Sequence, residues 1–226
     1  MSFTHALSRE LGAQPMPNAR PIVFVVDDDI SVRESLELLI RCEGWQPETF
    51  SSGHEFLARP RAVVPSCLVL DFSLPGFNGL ELQKRVAVER TDMPIIFITG
   101  YKDVSMTVQA MKAGAVEFLT KPFGEDVLLS AIRAALERSR VALSREAKMK
   151  VLQDRYASLS GRERQVMALV VAGLLNKQIG GELGISEITV KAHRGKVMQK
   201  MQADSLADLV RMAAKLGPAP AIMNAA

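Results

Sequence analysis

The stretch Cys67-Leu68-Val69-Leu70-Asp71 decides the fold, because it is an apolar run that ends on a single carboxylate. Similar apolar runs occupy residues 22–26, 95–98 and 116–119, and polar residues follow each of them. If these four runs are parallel strands, their carboxyl ends meet at one edge of a sheet. Ligands bind at that edge in open α/β sheets, at the point where the strand order reverses.

Carboxylates, a hydroxyl group and an ammonium group are therefore predicted to meet at this edge, from Asp27, Asp28, Asp71, Thr99 and Lys121. Mg²⁺ prefers carboxylate and carbonyl oxygens, and transfer of a phosphoryl group requires its charge to be neutralised. The pattern predicts a shallow pocket that holds a divalent cation and carries a phosphoryl group on Asp71. For Asp29 we favour a different role, as the cap of the helix that follows.

Strands alternate with helical patterns five times between residues 21 and 138. This alternation predicts a doubly wound, five-stranded parallel sheet. The strands are almost continuous apolar runs, as expected where helices cover both faces. Beyond residue 158 the pattern is helical only, with a predicted capping box formed by Ser160 and Glu163. The fold class is therefore α/β followed by an all-α domain.

Charge is distributed unevenly along the 226 residues. Residues 1–125 hold 12 Lys and Arg against 16 Asp and Glu, whereas residues 148–217 hold 12 against 6. An acidic front attracts cations and a basic back attracts polyanions. Cys42 and Cys67 are predicted to be free, buried thiols in a reducing cytoplasm. We expect no signal peptide and no membrane-spanning segment, because the apolar runs are too short.

The first part of the chain resembles the receiver domain of bacterial two-component response regulators. The matching motifs are VVDDD (25–29), LDFSLPG (70–76), ITG (98–100) and KPF (121–123). The resemblance implies a flavodoxin-like fold and a phosphoryl group that Asp71 accepts from a sensor histidine kinase. It also implies Mg²⁺ bound by Asp28, by Asp71 and by the main-chain carbonyl of Ser73, with Asp27 binding the ion through a water molecule.

The same resemblance implies that Thr99 and Lys121 contact the phosphoryl group. It also implies that Thr99 and Phe118 are the residues that switch conformation on phosphorylation. It implies a cis peptide bond between Lys121 and Pro122. A phosphoryl group adds nearly two negative charges. Thr99 is expected to move toward it and Phe118 to turn inward, which reshapes the face formed by residues 104–119. Two receivers are then expected to pair through this face.

The second part of the chain resembles the LuxR-type DNA-binding domain, and the whole chain resembles a FixJ-like response regulator. The matching motifs are LSGRERQV (159–166), GLLNKQI (173–179) and ISEITVKAHR (185–194). Residues 176–201 are predicted to form a helix-turn-helix, whose second helix enters the major groove. Gly180 and Gly181 depart from the family, which often has alanine or larger residues there, and predict a less stable first helix.

Helical phase predicts that Val190, Val197 and Met201 face the core of this domain. Lys191, Ala192 and Gly195 are then expected nearest the base edges, and contacts to phosphate are expected from Lys177, Thr189, Lys196 and Lys200. For Arg194 an intramolecular salt bridge and a phosphate contact are equally open. The resemblance also suggests a dimer contact through Leu209 and Val210.

The predicted organisation has five parts: a flexible N-terminal extension (1–20), a receiver domain (21–138), a helical linker (139–157), a four-helix LuxR-type helix-turn-helix domain (158–217) and a disordered tail (218–226). Expected partners are a sensor histidine kinase, double-stranded promoter DNA, a second copy of the chain after phosphorylation, and RNA polymerase. We expect no membrane partner, a cytoplasmic location and no enzymatic turnover beyond self-catalysed phosphoryl transfer and loss at Asp71.

Three alternatives remain beside a phosphorylation-activated transcription regulator. One is a DNA-binding regulator that works without phosphorylation, although every pocket residue is present. Another is an aspartyl-phosphate phosphohydrolase. Such enzymes commonly need a second acid two residues after the nucleophile, where this chain has Ser73. A ligand-sensing quorum regulator is disfavoured because its sensory half has a different fold.

Overall fold

The computed structural model describes residues 20–100 and 103–217. The predicted tail (218–226) and the predicted N-terminal extension, apart from Arg20, lie outside the described residues. The chain divides into two compact units, with the boundary between Arg145 and Glu146.

Seven strands occur in the described part of the first unit: β1 (Ile22–Val26), β2 (Gln46–Phe50), β3 (Ser66–Asp71), β4 (Ser73–Leu74), β5 (Phe77–Asn78), β6 (Ile95–Thr99) and β7 (Glu117–Thr120). Five of them form one parallel sheet in the order β2-β1-β3-β6-β7. The two short strands β4 and β5 pair as an antiparallel hairpin. The predicted doubly wound five-stranded sheet is therefore confirmed. Because β3 lies at its centre, Asp71 ends the middle strand.

Helices of the described residues are α1 (Ile30–Cys42), α2 (Gly53–Ala58), α3 (Gly79–Glu89), α4 (Val104–Lys112), α5 (Glu125–Ala157), α6 (Gly161–Val171), α7 (Asn176–Leu183), α8 (Glu187–Met201) and α9 (Leu206–Leu216). Two predicted caps are confirmed. Asp29 caps α1 by accepting a hydrogen bond from the Ser31 main-chain N–H, and Ser160 forms a capping box with Glu163 at the start of α6.

Side chains of the central strands alternate between two cores on opposite faces of the sheet. Phe24 and Leu70 lie on one face with residues of α2, α3 and α4. Val25 and Val69 lie on the other face with residues of α1 and α5. This double coverage is why the interiors of β1, β3 and β6 are apolar, and the polar groups of these strands lie at or just beyond their ends.

Helices α6 to α9 of the second unit surround a third core, which includes Val166, Ile179 and Val190. The last part of α5 contributes to the same core, because Leu152 is buried within it and Met149 packs against it. The boundary between the two units thus falls inside the predicted linker (139–157), all of which is helical.

Two residue-level predictions are wrong. Cys67 is buried, but Cys42 is exposed at the end of α1. Leu209 was expected at a dimer contact, yet this residue of α9 is completely buried in the core of the second unit. Of the proposed dimer pair only Val210 is exposed, because successive helical residues point about 100° apart.

Candidate metal centre and nucleic-acid interface

Three carboxylates converge at the carboxyl edge of the sheet. Asp27 follows β1, Asp28 follows Asp27, and Asp71 ends the neighbouring strand β3. One oxygen from each carboxylate can be chosen so that all three lie within 4.8 Å of one another. Asp27 is fully buried and Asp71 nearly so, whereas Asp28 is exposed. The cluster therefore has one side open to solvent.

Lys121 joins two of these carboxylates. Its Nζ lies 2.7 Å from Oδ2 of Asp27 and 2.7 Å from Oδ2 of Asp71. Burial raises the pKa of Asp27, although the hydrogen bond from Lys121 opposes that effect. Burial also lowers the pKa of Lys121, but the hydrogen bonds to the two carboxylates outweigh it and raise the pKa overall. The ammonium is thus held charged beside the predicted phosphoryl acceptor.

Thr99 lies on β6, which pairs with β3, and Phe118 lies on β7, at the far side of β6. Thr99 ends β6 and is buried, and its main-chain carbonyl accepts a hydrogen bond of 2.7 Å from the Lys121 N–H. Phe118 is half-buried on β7, with its ring centre 5.9 Å from that of Phe72 and 6.0 Å from that of Phe97. The peptide bond between Lys121 and Pro122 is cis, as the family resemblance implied.

Main-chain N–H groups donate hydrogen bonds to two of the carboxylates and fix their orientation. The N–H of Ser73 donates to Oδ1 of Asp71 at 2.8 Å, and the N–H of Asp29 donates to Oδ1 of Asp27 at 2.9 Å. Sequence reasoning missed Arg33, whose Nη1 donates to the carbonyl oxygens of Asp27 and Asp28. Its position on α1, only five and six residues after Asp28 and Asp27, could have indicated this contact.

This donor set fits a hard divalent cation. It offers carboxylate oxygens, which Mg²⁺ prefers, and its exposed side leaves room for the waters that this ion retains. The half-buried Lys121 supplies positive charge directly against Asp71 and Asp27. Asp27, Asp28 and Asp71 are the residues that would hold the ion.

In the second unit, α7 and α8 form the predicted helix-turn-helix, and Gly184 between them adopts the left-handed conformation with φ of 63°. Val190, Val197 and Met201 face the core, as their helical phase predicts. The residues predicted nearest the base edges are all exposed on the opposite side of α8: Lys191, Ala192 and Gly195.

The predicted phosphate contacts differ in their surroundings. Lys177, Thr189 and Lys196 are exposed. Lys200 instead donates to Oε2 of Glu163 at 2.7 Å and to the carbonyl oxygen of Ser158 at 3.1 Å.

For Arg194, the structure gives an intramolecular hydrogen bond rather than a salt bridge. Its Nη1 donates to Oδ1 of Asn176 at 2.9 Å. The guanidinium thereby ties α8 to the first residue of α7, across the two helices of the motif.

Gly180 lies where α7 approaches the turn before α8. A Cβ atom added to it would lie 2.7 Å from the carbonyl oxygen of Ile185, closer than such atoms approach in folded proteins. A Cβ atom on Gly181 would meet nothing within 4 Å. The tight backbone contact therefore explains why glycine occupies position 180. No contact explains the glycine at position 181.

Comparison with known proteins agrees with both sites. The model of the response regulator receiver domain matches residues 23–133, and the model of the luxR family of bacterial regulatory proteins matches residues 157–213. The chain belongs to the two-component response regulators and combines a receiver domain with a LuxR-type DNA-binding domain. Within that class it is a transcription regulator similar to the FixJ and NodW proteins.

Similarity to individual relatives extends over nearly the whole chain. Nodulation protein W of Bradyrhizobium diazoefficiens is 49% identical over 209 residues, which cover 92% of each protein. Transcriptional regulatory protein FixJ of Rhizobium meliloti is 42% identical over 198 residues, covering 88% of this chain and 97% of FixJ. Among solved structures, the response regulator StyR has 49% identity and a TM-score of 0.79, covering 87% of this chain and 100% of StyR.

None of the helices within residues 20–100 and 103–217 is long and apolar enough to cross a membrane.

Proposed function

We propose that this regulator is activated by phosphorylation of Asp71, forms a homodimer in that state and binds promoter DNA through α8. The observation that carries the proposal is the convergence of Asp27, Asp28 and Asp71, together with the Lys121 ammonium that binds Asp27 and Asp71. We further propose a sensor histidine kinase as the phosphoryl donor, RNA polymerase as a partner at the promoter and the cytoplasm as the location.

In the transfer reaction, an Asp71 carboxylate oxygen attacks the phosphorus atom of a phosphohistidine. The new O–P bond forms as the N–P bond breaks, and the leaving imidazole nitrogen retains the electron pair. A Mg²⁺ ion held by Asp27, Asp28, Asp71 and the Ser73 carbonyl would neutralise charge on the phosphoryl oxygens. Lys121 contributes a second positive charge, because its Nζ already lies against Asp71.

The new charge provides a reason for a change in shape. Thr99 supplies a hydroxyl group on the strand beside Asp71, and the half-buried ring of Phe118 packs on the adjacent strand against Phe72 and Phe97. A local charge can bias two packing arrangements of such a cluster. We propose that it favours pairing of two receivers through α4 and β7.

Size-exclusion chromatography with light scattering tests the proposal, with Mg²⁺ present and with or without beryllofluoride as a phosphoryl mimic. We expect the mimic to convert monomer to dimer in the natural chain and in Asp29→Asn, which retains a helix-capping group. The variant Asp71→Asn should remain monomeric. Unchanged mass of the natural chain on addition of the mimic would favour the alternative regulator that works without phosphorylation.

A further inference from the structure

Arg33 contacts the backbone that carries two of the three clustered carboxylates. Its Nη1 lies 2.7 Å from the carbonyl oxygen of Asp27 and 3.0 Å from that of Asp28. The side chain is partly buried and belongs to the second turn of α1. A single guanidinium nitrogen thus binds both residues of the acidic pair through their main chain, not through their carboxylates.

These two carbonyls lie beyond the end of β1, which stops at Val26. Backbone acceptors near a protein interior need hydrogen-bond partners, and bonds from a charged donor are stronger than neutral ones. Two further bonds close the same loop, from the Asp29 N–H to Asp27 and from the Ser31 N–H to Asp29. Arg33 therefore completes a hydrogen-bonded connection between the loop and the start of α1.

We infer that Arg33 is a positioning residue for the divalent cation of the receiver pocket. By holding the peptide groups of Asp27 and Asp28, it keeps their carboxylates directed toward Asp71. This inference rests on the proposed function, because it assumes that the cation binds to this cluster. The guanidinium donates to the main chain of the two residues and not to their carboxylates, so it orients these carboxylates through the backbone.

Two effects of Arg33 oppose each other. Its positive charge repels a nearby cation, so removal of the side chain would strengthen cation binding if charge alone mattered. Its hydrogen bonds orient two cation ligands, so removal weakens binding if orientation dominates. Residues that orient metal ligands typically change metal affinity by about 10–100-fold. The bonds to two separate carbonyls lead us to expect that orientation dominates.

The first experiment measures Mn²⁺ binding to the full chain by electron paramagnetic resonance of the free ion. We expect about tenfold weaker binding in Arg33→Ala and in Arg33→Met. The methionine variant retains an apolar stem that can pack, and it removes the charge and the donors together. Arg41→Ala is the matched control, since Arg41 lies on the same helix in an exposed pair with Glu37. Its Mn²⁺ affinity should equal that of the natural chain.

The outcomes separate this inference from the proposed function. A natural chain that binds no Mn²⁺ would overturn the metal site and the role of Arg33 with it. Unchanged or tighter binding in Arg33→Met, with binding in the natural chain, would overturn the role of Arg33 alone. Trp45 fluorescence, which reports melting of the first unit, verifies that the variants are folded at the temperature of the measurement.

A kinetic measurement gives a second readout. Phosphorylation by acetyl phosphate is followed as the Mg²⁺ concentration is raised. Positioning of cation ligands predicts that Arg33→Met needs about tenfold more Mg²⁺ for half-maximal rate and reaches the natural rate at saturation. A reduced saturating rate with an unchanged Mg²⁺ requirement would contradict the inference, because it would assign Arg33 to the phosphoryl transfer itself.

Discussion

A Cβ atom on Gly180 would lie 2.7 Å from the carbonyl oxygen of Ile185. The N–H of Ile185 also donates to the carbonyl of Gly180 at 3.0 Å, so the two backbones are held together at this point. Since the obstructing atom belongs to the backbone, Gly180→Ala has to displace the turn between α7 and α8. We expect the variant to lose about 1–3 kcal/mol of stability in the second unit.

Gly181→Ala is the matched control for that substitution. Its Cβ atom meets nothing within 4 Å, and alanine favours the helical conformation. We expect a gain of about 1 kcal/mol. Far-UV circular dichroism during denaturation follows the helices, and Trp45 fluorescence reports the first unit separately. Equal effects of the two alanines would contradict the tight contact at Gly180.

Removal of Lys121 should destabilise the first unit chiefly when divalent cations are absent. Lys121→Ala leaves the buried carboxylate of Asp27 without its ammonium partner. Breaking a buried pair in this way costs about 3 kcal/mol, and Mg²⁺ should restore part of the loss. Denaturation followed by Trp45 fluorescence, in chelator and in Mg²⁺, provides the measurement. The exposed Lys84→Ala is the control, and an equal loss in both solutions would argue against charge compensation.

Acid should weaken the second unit through Glu163. Hydrogen bonds from Lys200 and from the Ser160 N–H lower the pKa of Glu163 from 4.5 to about 2. Because the folded-state pKa is depressed, the ionised carboxylate contributes stability above pH 4.5, and this contribution is lost as the pH falls toward 2. Glu163→Gln should flatten the pH dependence of unfolding across that range. The exposed Glu182→Gln should leave it unchanged.

Lys196 and Lys200 are expected to differ in function although both are lysines of α8. Lys196→Ala should weaken binding to a mixed-sequence DNA duplex and reduce the salt dependence by about 0.9 in logarithmic slope, without altering unfolding. Lys200→Ala removes the partner of Glu163 and should cost about 1 kcal/mol of stability. Fluorescence anisotropy across a salt series and denaturation curves distinguish the two. A loss of stability in Lys196→Ala would contradict this division.

Local sequence patterns were sufficient to predict the parallel sheet and the caps. Continuous apolar runs identified β1, β3 and β6, and Asp29 and Ser160 were recognisable because a cap acts on residues two or three positions away. The meeting of Asp27, Asp71 and Lys121 was also predictable, since parallel strands place their ends at a common edge. These features depend on local sequence or on the general geometry of a sheet.

Other features depend on contacts between distant residues, which no local pattern contains. Lys200 and Glu163, which form an ion pair, are 37 positions apart in the sequence. Gly180 has no room for a Cβ atom because the backbone of Ile185 approaches it. Leu209 and Val210 are both apolar, so the sequence alone did not reveal which one the core would cover. The end of the first unit was similarly hidden, since neither glycine nor proline interrupts α5.

The last turns of α5 have a practical consequence for dissecting this regulator. Leu152 is buried with the core of α6 to α9, and Arg155 donates to the carbonyl oxygen of Met201 at the end of α8. A truncation at residue 158 would remove both groups and expose the apolar surface that they cover. An isolated DNA-binding fragment, or a chimera grafted onto a foreign sensor, should therefore begin no later than Glu146.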